Sequence, residues 1–248
     1  MLIEDLRRKK KTVLHFTLID PDRQTPGKAG ILARLCREAG TDAIMVGGSS
    51  AFRPALLEKT VQAIKAQVDL PTILFPSSAR ALTPAADFVF FMSLLNADHP
   101  RYLIREQARA APWIARVGLP TISMGYIVVS TSRRRTSVEK RAARDRIGKD
   151  DIEKAVSYAL AGRYFGLSCL YLEAGSGADE TVPARMVAAV KTRTGLPVLV
   201  GGGIRTPAQA ARLAAAGADG IVTGSVVERD VLRLRDIILA VKKRKSGP

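Results

Sequence analysis

Aromatic, cysteine and histidine residues are all scarce in this sequence. Aromatic residues make up 5% of the chain, and there are two cysteines and two histidines. Because Cys36 and Cys169 lie far apart and form no metal-binding spacing, a disulfide scaffold and a cysteine zinc site are excluded. Two histidines also exclude a histidine metal cluster, and no Ser-His-Asp order can be made from them. We therefore expect a protein of a reducing compartment, the cytoplasm.

Long hydrophobic runs are absent as well. The longest ones, such as Phe88 to Met92, fall far short of the roughly 20 residues that a membrane-spanning helix needs. The segment from Met1 to Lys11 lacks the apolar core of a signal peptide. Hydrophobic residues at 47% and charged residues at 25% are typical of a globular chain rather than a disordered one. The 248 residues allow two domains or one closed α/β barrel, a fold of about 250 residues.

Positive charge is in large excess, with a formal net charge of +16. Three stretches carry almost all of this excess, namely Arg7–Lys11, Arg133–Lys149 and Lys242–Lys245. Solvated basic ends are the plainest interpretation, and an electrostatic funnel for a polyanionic substrate is the alternative. No aromatic residues interleave with the basic runs, as a surface that stacks on bases would require. We therefore expect no nucleic-acid partner.

Apolar segments alternate with helical patterns along the chain. The segments that we predict to be strands are 12–19, 43–46, 72–75, 88–92, 121–129, 168–172, 198–200 and 220–223. Helices are predicted at about 25–40, 102–111, 150–165, 183–192, 206–216 and 231–243, and a further helix follows the second strand and ends at about residue 67. The interval Ala79–Asp87 is too short for a full crossover helix. Eight strands in this alternation favour one parallel barrel spanning residues 1–248, with basic ends.

An internal similarity supports the barrel. The segment 39–47 resembles 216–224, and each follows a helix that starts with Thr-Pro, as repeated βα units would. An open, doubly wound sheet is the structural alternative. The first strand is not followed by a G-x-G-x-x-G sequence, and this weakens the alternative.

Two glycine clusters follow the seventh and eighth predicted strands. They are Gly201–Gly203 and Gly224-Ser225. Glycine lets a backbone approach an anion closely, so that N–H groups can point at phosphate oxygens. Each cluster alone is equally explained as a turn. Two clusters at matching strand ends predict a phosphate site, at the place where barrels usually bind phosphate.

Polar side chains at other strand ends are candidates for the chemistry. Glu173 directly follows the sixth predicted strand and is placed for general-base work, although a salt bridge at the barrel rim is the alternative. Asp20 ends the first strand and is either a Mg²⁺ ligand or a turn-forming residue before proline. Ser49 offers a further oxygen or is simply a turn residue. His15 lies inside an apolar strand, which favours a structural role over a catalytic one.

Four segments carry a resemblance to a known family. Residues 15–22, 42–49, 171–177 and 200–206 resemble geranylgeranylglyceryl phosphate synthase, in the right order and at the right spacings. The block Tyr-Leu-Glu-Ala-Gly-Ser-Gly is the most specific of the four. The resemblance implies a modified (β/α)₈ TIM barrel whose third helix is replaced by an irregular segment, in agreement with the short interval noted above. It also implies transfer of a geranylgeranyl group from its diphosphate to the 3-hydroxyl of sn-glycerol 1-phosphate, the first ether bond of archaeal-type membrane lipids.

The resemblance also implies which residues do this work. Asp20 and Ser49 would hold the Mg²⁺ that carries geranylgeranyl diphosphate, and Glu173 would be the catalytic base. The glycerol phosphate would be bound by Tyr171, Leu172, Glu173, Ala174, Gly175, Ser176, Gly177, Gly202, Gly203, Gly224 and Ser225. The prenyl tail needs an apolar trench. A homo-oligomer, dimer or larger, is implied, and a membrane enters only as the destination of the product.

Two features depart from the family pattern. Ser225 stands where relatives commonly have asparagine, and the segment Thr131–Lys149 is rich in arginine where relatives have a less charged loop. Two alternatives to the implied activity stay open at this point. One is a prenyltransferase of the same fold with another prenyl length or another phosphorylated acceptor. The other is a basic barrel that binds nucleic acid or an anionic membrane.

Overall fold

The computed structural model describes residues 2–48, 54–141, 145–227 and 230–243. Nine parallel strands form one sheet in the order β4-β3-β2-β1-β9-β8-β7-β5-β6, and pairing of β4 with β5 closes eight of them into a barrel. The strands are β1 Leu14–Ile19, β2 Ala43–Gly47, β3 Thr72–Phe75, β4 Phe88–Leu94, β5 Thr121–Ser130, β6 Ile147–Gly148, β7 Cys169–Glu173, β8 Val198–Gly201 and β9 Gly220–Thr223. The predicted (β/α)₈ barrel is therefore confirmed.

Helices surround the barrel and connect most of the strands. They are α1 Leu2–Lys10, α2 Pro26–Ala39, α3 Pro54–Lys65, α4 Glu106–Val117, α5 Ser137–Arg141, α6 Ile152–Tyr164, α7 Ala184–Thr194, α8 Pro207–Ala215 and α9 Val231–Lys242. A π-helical turn, Arg101–Arg105, leads into α4. Among the described helices, none is both long enough and apolar enough to cross a bilayer.

The connection from β3 to β4 differs from the others. Residues 76–87 form bends and turns instead of a helix, as the short interval predicted. Because no helix covers β3 and β4 there, their outer faces border a cavity that α4 closes from the other side. Helix α4 also runs further than the predicted 102–111, since it continues through Pro112 to Val117.

The short helix α1, which the sequence analysis did not predict, closes the amino-terminal end of the barrel. Ile3 is 2% exposed and packs with the residues that fill the barrel interior. Arg7 pairs with Asp219 at 2.7 Å, just before β9, and Lys242 pairs with Asp42 at 2.7 Å, just before β2. The described parts of both basic ends therefore lie at the amino-terminal end of the barrel, away from the carboxyl ends of the strands.

Two hydrophobic layers make up the core. Side chains such as Phe16, Met45 and Phe90 fill the barrel interior. A larger layer lies between the strands and the surrounding helices. Buried His15 belongs to this scaffold, because Nδ1 lies 2.8 Å from the Thr41 hydroxyl and Nε2 lies 3.1 Å from that of Thr223. Burial lowers the pKa of His15 to about 3, so the ring is neutral at physiological pH.

Candidate functional site

One cavity of about 350 Å³ opens at the carboxyl ends of the strands. Asp20 after β1, Glu173 at the end of β7 and Gly224 after β9 line its polar end. The rest of the cavity is an apolar arm between β3, β4 and α4. The arm is lined by Phe75, Ala79, Leu82, Val89, Phe91, Ala110 and Ile114. A single cavity thus joins a polar end to a hydrophobic one.

Glu173 is a buried carboxylate at the polar end. It is 7% exposed, and its Oε1 accepts a hydrogen bond from the Gly175 N–H at 2.5 Å. The phenols of Tyr126 and Tyr171 interact with the same carboxylate. Burial raises the pKa of Glu173 above the usual carboxyl value, and the Gly175 N–H and the two phenols oppose this rise. Since a carboxylate has about four acceptor positions, Glu173 can also accept a hydrogen bond from a hydroxyl that enters from the cavity.

Three aromatic rings from three strands pack together beside Glu173. The ring centroids lie 5.3 Å apart for Tyr126 and Tyr171, 5.6 Å for Phe75 and Tyr171, and 5.7 Å for Phe75 and Tyr126. Burial and then the charge of Glu173 raise the pKa of each tyrosine well above its ordinary value. Both phenols therefore stay protonated beside the carboxylate. Gly201 makes room for this arrangement, because a Cβ there would lie 2.0 Å from the Tyr171 hydroxyl.

The loops after β7 and β8 meet through glycines with a left-handed backbone. Gly175, Gly177, Gly202 and Gly203 have φ values of +97°, +75°, +85° and +69°. A Cβ on Gly202 would lie 2.5 Å from Oε1 of Glu173 and 2.6 Å from the nitrogen of Gly175. Only glycine therefore lets the β8 loop approach the carboxylate and the β7 loop so closely. The binding of phosphate by these loops stays a prediction.

Arg205 holds these two loops together. Its guanidinium donates hydrogen bonds to three consecutive carbonyls of the β7 loop, those of Gly177 at 3.3 Å, Ala178 at 2.5 Å and Asp179 at 3.1 Å. The residue itself directly precedes Thr206, the N-cap of α8. This role of Arg205 was not predicted from the sequence, because nothing local to the β8 loop shows that these carbonyls lie beside it.

Asp20 faces the polar end from the turn after β1. Its Oδ1 accepts a hydrogen bond from the Asp22 N–H at 3.1 Å, and Arg23 Nε lies 3.7 Å from Oδ2. A Cβ on Gly48 would lie 2.4 Å from Oδ2, so the glycine after β2 makes room for the carboxylate. Within the described residues, no three His, Cys, Asp or Glu side chains cluster as metal ligands. One carboxylate at an open cavity fits Mg²⁺, which keeps water and phosphate oxygens as its other ligands.

The other predicted site residues fall into three groups. Ser176 and Ser225 line the cavity with Asp20, Glu173 and Gly224. The side chains of Leu172 and Ala174 pack in the outer hydrophobic layer, so these two residues have only backbone groups to offer a ligand. Ser49 lies outside the described residues.

A segment of the arginine-rich stretch borders the cavity. Ser137 and Val138 of α5 line it, whereas the side chains of Arg133–Arg135 are exposed. The buried carboxylate of Glu139 anchors α5, because it accepts hydrogen bonds from the Thr136 N–H at 2.7 Å and from the Ser130 hydroxyl. This short helix was not predicted from the sequence.

The fold and the site together define a TIM-barrel protein with a cavity at the catalytic end of the barrel. The sequence profile of the PcrB family matches residues 4–244. The chain therefore belongs to the PcrB family.

Relatives in this family support the resemblance. Geranylgeranylglyceryl phosphate synthase of Methanothrix thermoacetophila is 51% identical over 231 residues, which are 92% of this chain and 89% of the relative. The enzyme of the same name from Pyrococcus horikoshii is 45% identical, over 91% of this chain and 87% of its own length.

A solved structure matches the barrel over nearly its full length. It is (S)-3-O-geranylgeranylglyceryl phosphate synthase from Thermoplasma acidophilum in complex with its substrate sn-glycerol-1-phosphate. The TM-score is 0.92 at 40% identity, and the match covers 98% of this chain and 99% of that one.

Proposed function

We propose that this protein is a geranylgeranylglyceryl phosphate synthase. It transfers a geranylgeranyl group from its diphosphate to the 3-hydroxyl of sn-glycerol 1-phosphate, and the products are the ether and diphosphate. One observation carries the proposal: the buried carboxylate of Glu173 lies in a single cavity with a polar end and an apolar arm. The 51% identity to a relative with this name and the solved complex of another relative support it.

The polar end receives the acceptor. Backbone N–H groups of the loops after β7, β8 and β9 bind the phosphate. The absence of a Cβ at Gly202 lets the β8 loop lie directly beside Glu173 and Gly175. The open acceptor position of Glu173 then takes the proton of the attacking hydroxyl. Tyr126 and Tyr171 fix the carboxylate in place, so that it meets the hydroxyl without reorganising.

The donor spans both ends of the cavity. Its diphosphate lies near Asp20 and Arg23, where Asp20 and Ser49 would hold Mg²⁺ and the Arg23 guanidinium adds positive charge. When bound, Mg²⁺ neutralises the charge that develops on the departing diphosphate. The prenyl tail lies in the apolar arm, where each buried CH₂ contributes about 0.8 kcal/mol of affinity.

The apolar arm sets the length of the donor that fits. Ala110 of α4 lines the arm, whereas its neighbour Ala111 is exposed on the same helix. The Ala110→Trp variant should therefore lower kcat/KM for a C20 donor roughly tenfold or more relative to a C10 donor, because CH₂ groups lose their burial. Steady-state kinetics with both donors measures this, and Ala111→Trp is the matched control. An equal loss for both donors would place the tail elsewhere.

Arg205 is expected to act on acceptor binding through the loop that it holds. Loss of its three hydrogen bonds in Arg205→Gln should raise KM for glycerol phosphate roughly tenfold, since one hydrogen bond to a charged group contributes about 1.5–3 kcal/mol. KM for the prenyl donor should stay the same. Arg212→Gln, at an exposed position on α8, is the control. A parallel rise of both KM values would indicate general damage to the barrel.

Identification of the product tests the function directly. The protein is incubated with Mg²⁺, sn-glycerol 1-phosphate and a mixture of prenyl diphosphates, and the ether is identified by mass spectrometry. A C20 ether supports the proposal. A product with another prenyl length, or turnover only with a different phosphorylated acceptor, would establish an alternative transferase of the same fold.

The proposal also includes the compartment in which the protein works and its assembly. The free, buried thiols of Cys36 and Cys169 agree with a reducing cytoplasm. Assembly into a homo-oligomer, as the resemblance implies, is tested by analytical ultracentrifugation of the intact protein.

A further inference from the structure

The outer face of the π-helical turn and α4 is rich in arginine. Arg105, Arg109 and Arg116 are exposed on it, together with Arg101 at the start of the turn. The only acidic residue from Arg101 to Val117 is Glu106. Its side chain is 12% exposed and accepts hydrogen bonds from the Ala79 N–H and from Arg101 Nε, both at 2.9 Å. The exposed face of this segment therefore carries positive charge without an exposed carboxylate.

The same face exposes apolar side chains. Leu103 is 37% exposed and Ile104 is 56% exposed. The turn that presents them is held by side-chain hydrogen bonds, from Ser93 Oγ to the Leu103 carbonyl at 2.7 Å and from Gln107 Nε2 to the Tyr102 carbonyl at 2.9 Å. An apolar stripe continues along the helix from Ile104, because residues 108, 111 and 115 are exposed alanines at intervals of three or four.

The opposite face of α4 lines the apolar arm with Ala110 and Ile114. One helix thus separates the hydrophobic arm from a surface of arginine and aliphatic residues. We propose that this outer face, Arg101–Val117, docks on the surface of an anionic lipid bilayer. The arginines bind headgroup phosphates, and Leu103 and Ile104 enter the boundary of the acyl chains.

Lipid fits this face better than nucleic acid does. Its exposed apolar residues are aliphatic, and Tyr102, the aromatic residue beside them, is half-buried beneath the Arg101 guanidinium at 5.2 Å. Single-stranded nucleic acid is usually held by exposed aromatic rings on which its bases stack. The docking goes beyond the proposed function, because it needs neither substrate nor turnover.

Sedimentation with vesicles tests the proposal. The intact protein should bind vesicles of equal parts phosphatidylcholine and phosphatidylglycerol, but not vesicles of phosphatidylcholine alone. Replacing Arg105 and Arg109 by glutamine should weaken binding roughly fivefold per arginine, and the Leu103→Gln, Ile104→Gln variant by roughly tenfold or more. The control replaces Leu232 and Leu239 of α9 by glutamine. These leucines are 76% and 49% exposed. They are far from the proposed docking face, because α4 follows β4, α9 follows β9, and these two strands lie on opposite sides of the ring of strands.

Three other results would each contradict the proposed docking on anionic lipid. Equal binding by all variants, or equal binding to neutral vesicles, would show that this face does not recognise anionic lipid. The unchanged protein could fail to bind vesicles while the Ile104→Gln variant shows a lower mass than it in analytical ultracentrifugation. That result would identify the face as an interface between copies of the chain. Competition by single-stranded RNA at lower concentration than vesicles would identify nucleic acid as the partner. Turnover in the absence of vesicles reports separately on the proposed function, and the surface variants should keep it.

Discussion

Glu173→Gln is expected to lower turnover by about two orders of magnitude or more, because a general base typically contributes about 10²–10⁴-fold to the rate. The amide keeps the shape of the side chain and still accepts the hydrogen bond from the Gly175 N–H, but it cannot take the proton of the attacking hydroxyl. Affinity for glycerol phosphate should therefore stay near normal while kcat falls. Turnover and glycerol phosphate binding, measured on the same sample, test this.

The Glu173→Gln variant should lose turnover but should not lose thermal stability at neutral pH. Burial raises the pKa of Glu173, so the folded protein holds this proton more tightly than the unfolded chain does. Ionisation at neutral pH therefore costs stability, and Glu173→Gln should have an equal or higher thermal midpoint there. The difference should shrink as the pH falls and vanish well below the pKa of an unfolded glutamate, about 4.3, where the carboxyl is protonated in both states.

A carboxylate elsewhere on the same loop gives the control. Glu180 is exposed and pairs with Lys149 at 3.1 Å. Glu180→Gln should keep turnover within a few-fold of the unchanged protein. If Glu173→Gln did the same, Glu173 would be a rim carboxylate, and the proton would leave with water or with the departing diphosphate.

The barrel was predictable because its strands are short, buried and bounded by turn residues. The short interval between Thr72–Phe75 and Phe88–Leu94 also predicted that no helix connects these two strands. The elements that were missed have little local signal. Strand β6 has two residues, and α1 is a mostly charged helix whose apolar Ile3 makes sense only once the open end of the barrel exists.

The candidate site was predictable to the extent that its residues follow strand ends. Asp20, Glu173 and Gly224 reach one cavity because parallel strands end together. Arg205 and Ala110 were missed for one physical reason. Each acts on groups from a distant part of the chain, so that in sequence they resemble a loop arginine and a core alanine.

The charge distribution was misleading for a related reason. In the sequence, three stretches carry nearly all of the excess positive charge, and the described parts of two of them lie at the amino-terminal end of the barrel. The arginines of α4 escaped notice because acidic residues elsewhere balance them in the total. Folding separates these charges onto different faces.

Asp20→Asn should weaken the use of the prenyl diphosphate at low Mg²⁺ by about a hundredfold or more. Even groups that only hydrogen-bond a metal ligand are worth about 10–100-fold in metal affinity or activity, and a ligand itself should be worth at least as much. Asparagine keeps an oxygen that accepts the Asp22 N–H, so the turn after β1 survives the change. Kinetics as a function of Mg²⁺ concentration should show the loss, with partial recovery at high Mg²⁺.

Two further variants make this test specific to the position of the Asp20 carboxylate. Asp22→Asn alters an exposed carboxylate on the same turn and should leave the Mg²⁺ dependence unchanged. Gly48→Ala keeps Asp20 but places a methyl group 2.4 Å from the present position of its Oδ2, so the carboxylate must move and the Mg²⁺ requirement should rise. Full activity of Asp20→Asn at low Mg²⁺ would reduce Asp20 to a turn residue, and the metal would then have to be held by the substrate and by other oxygens of the cavity.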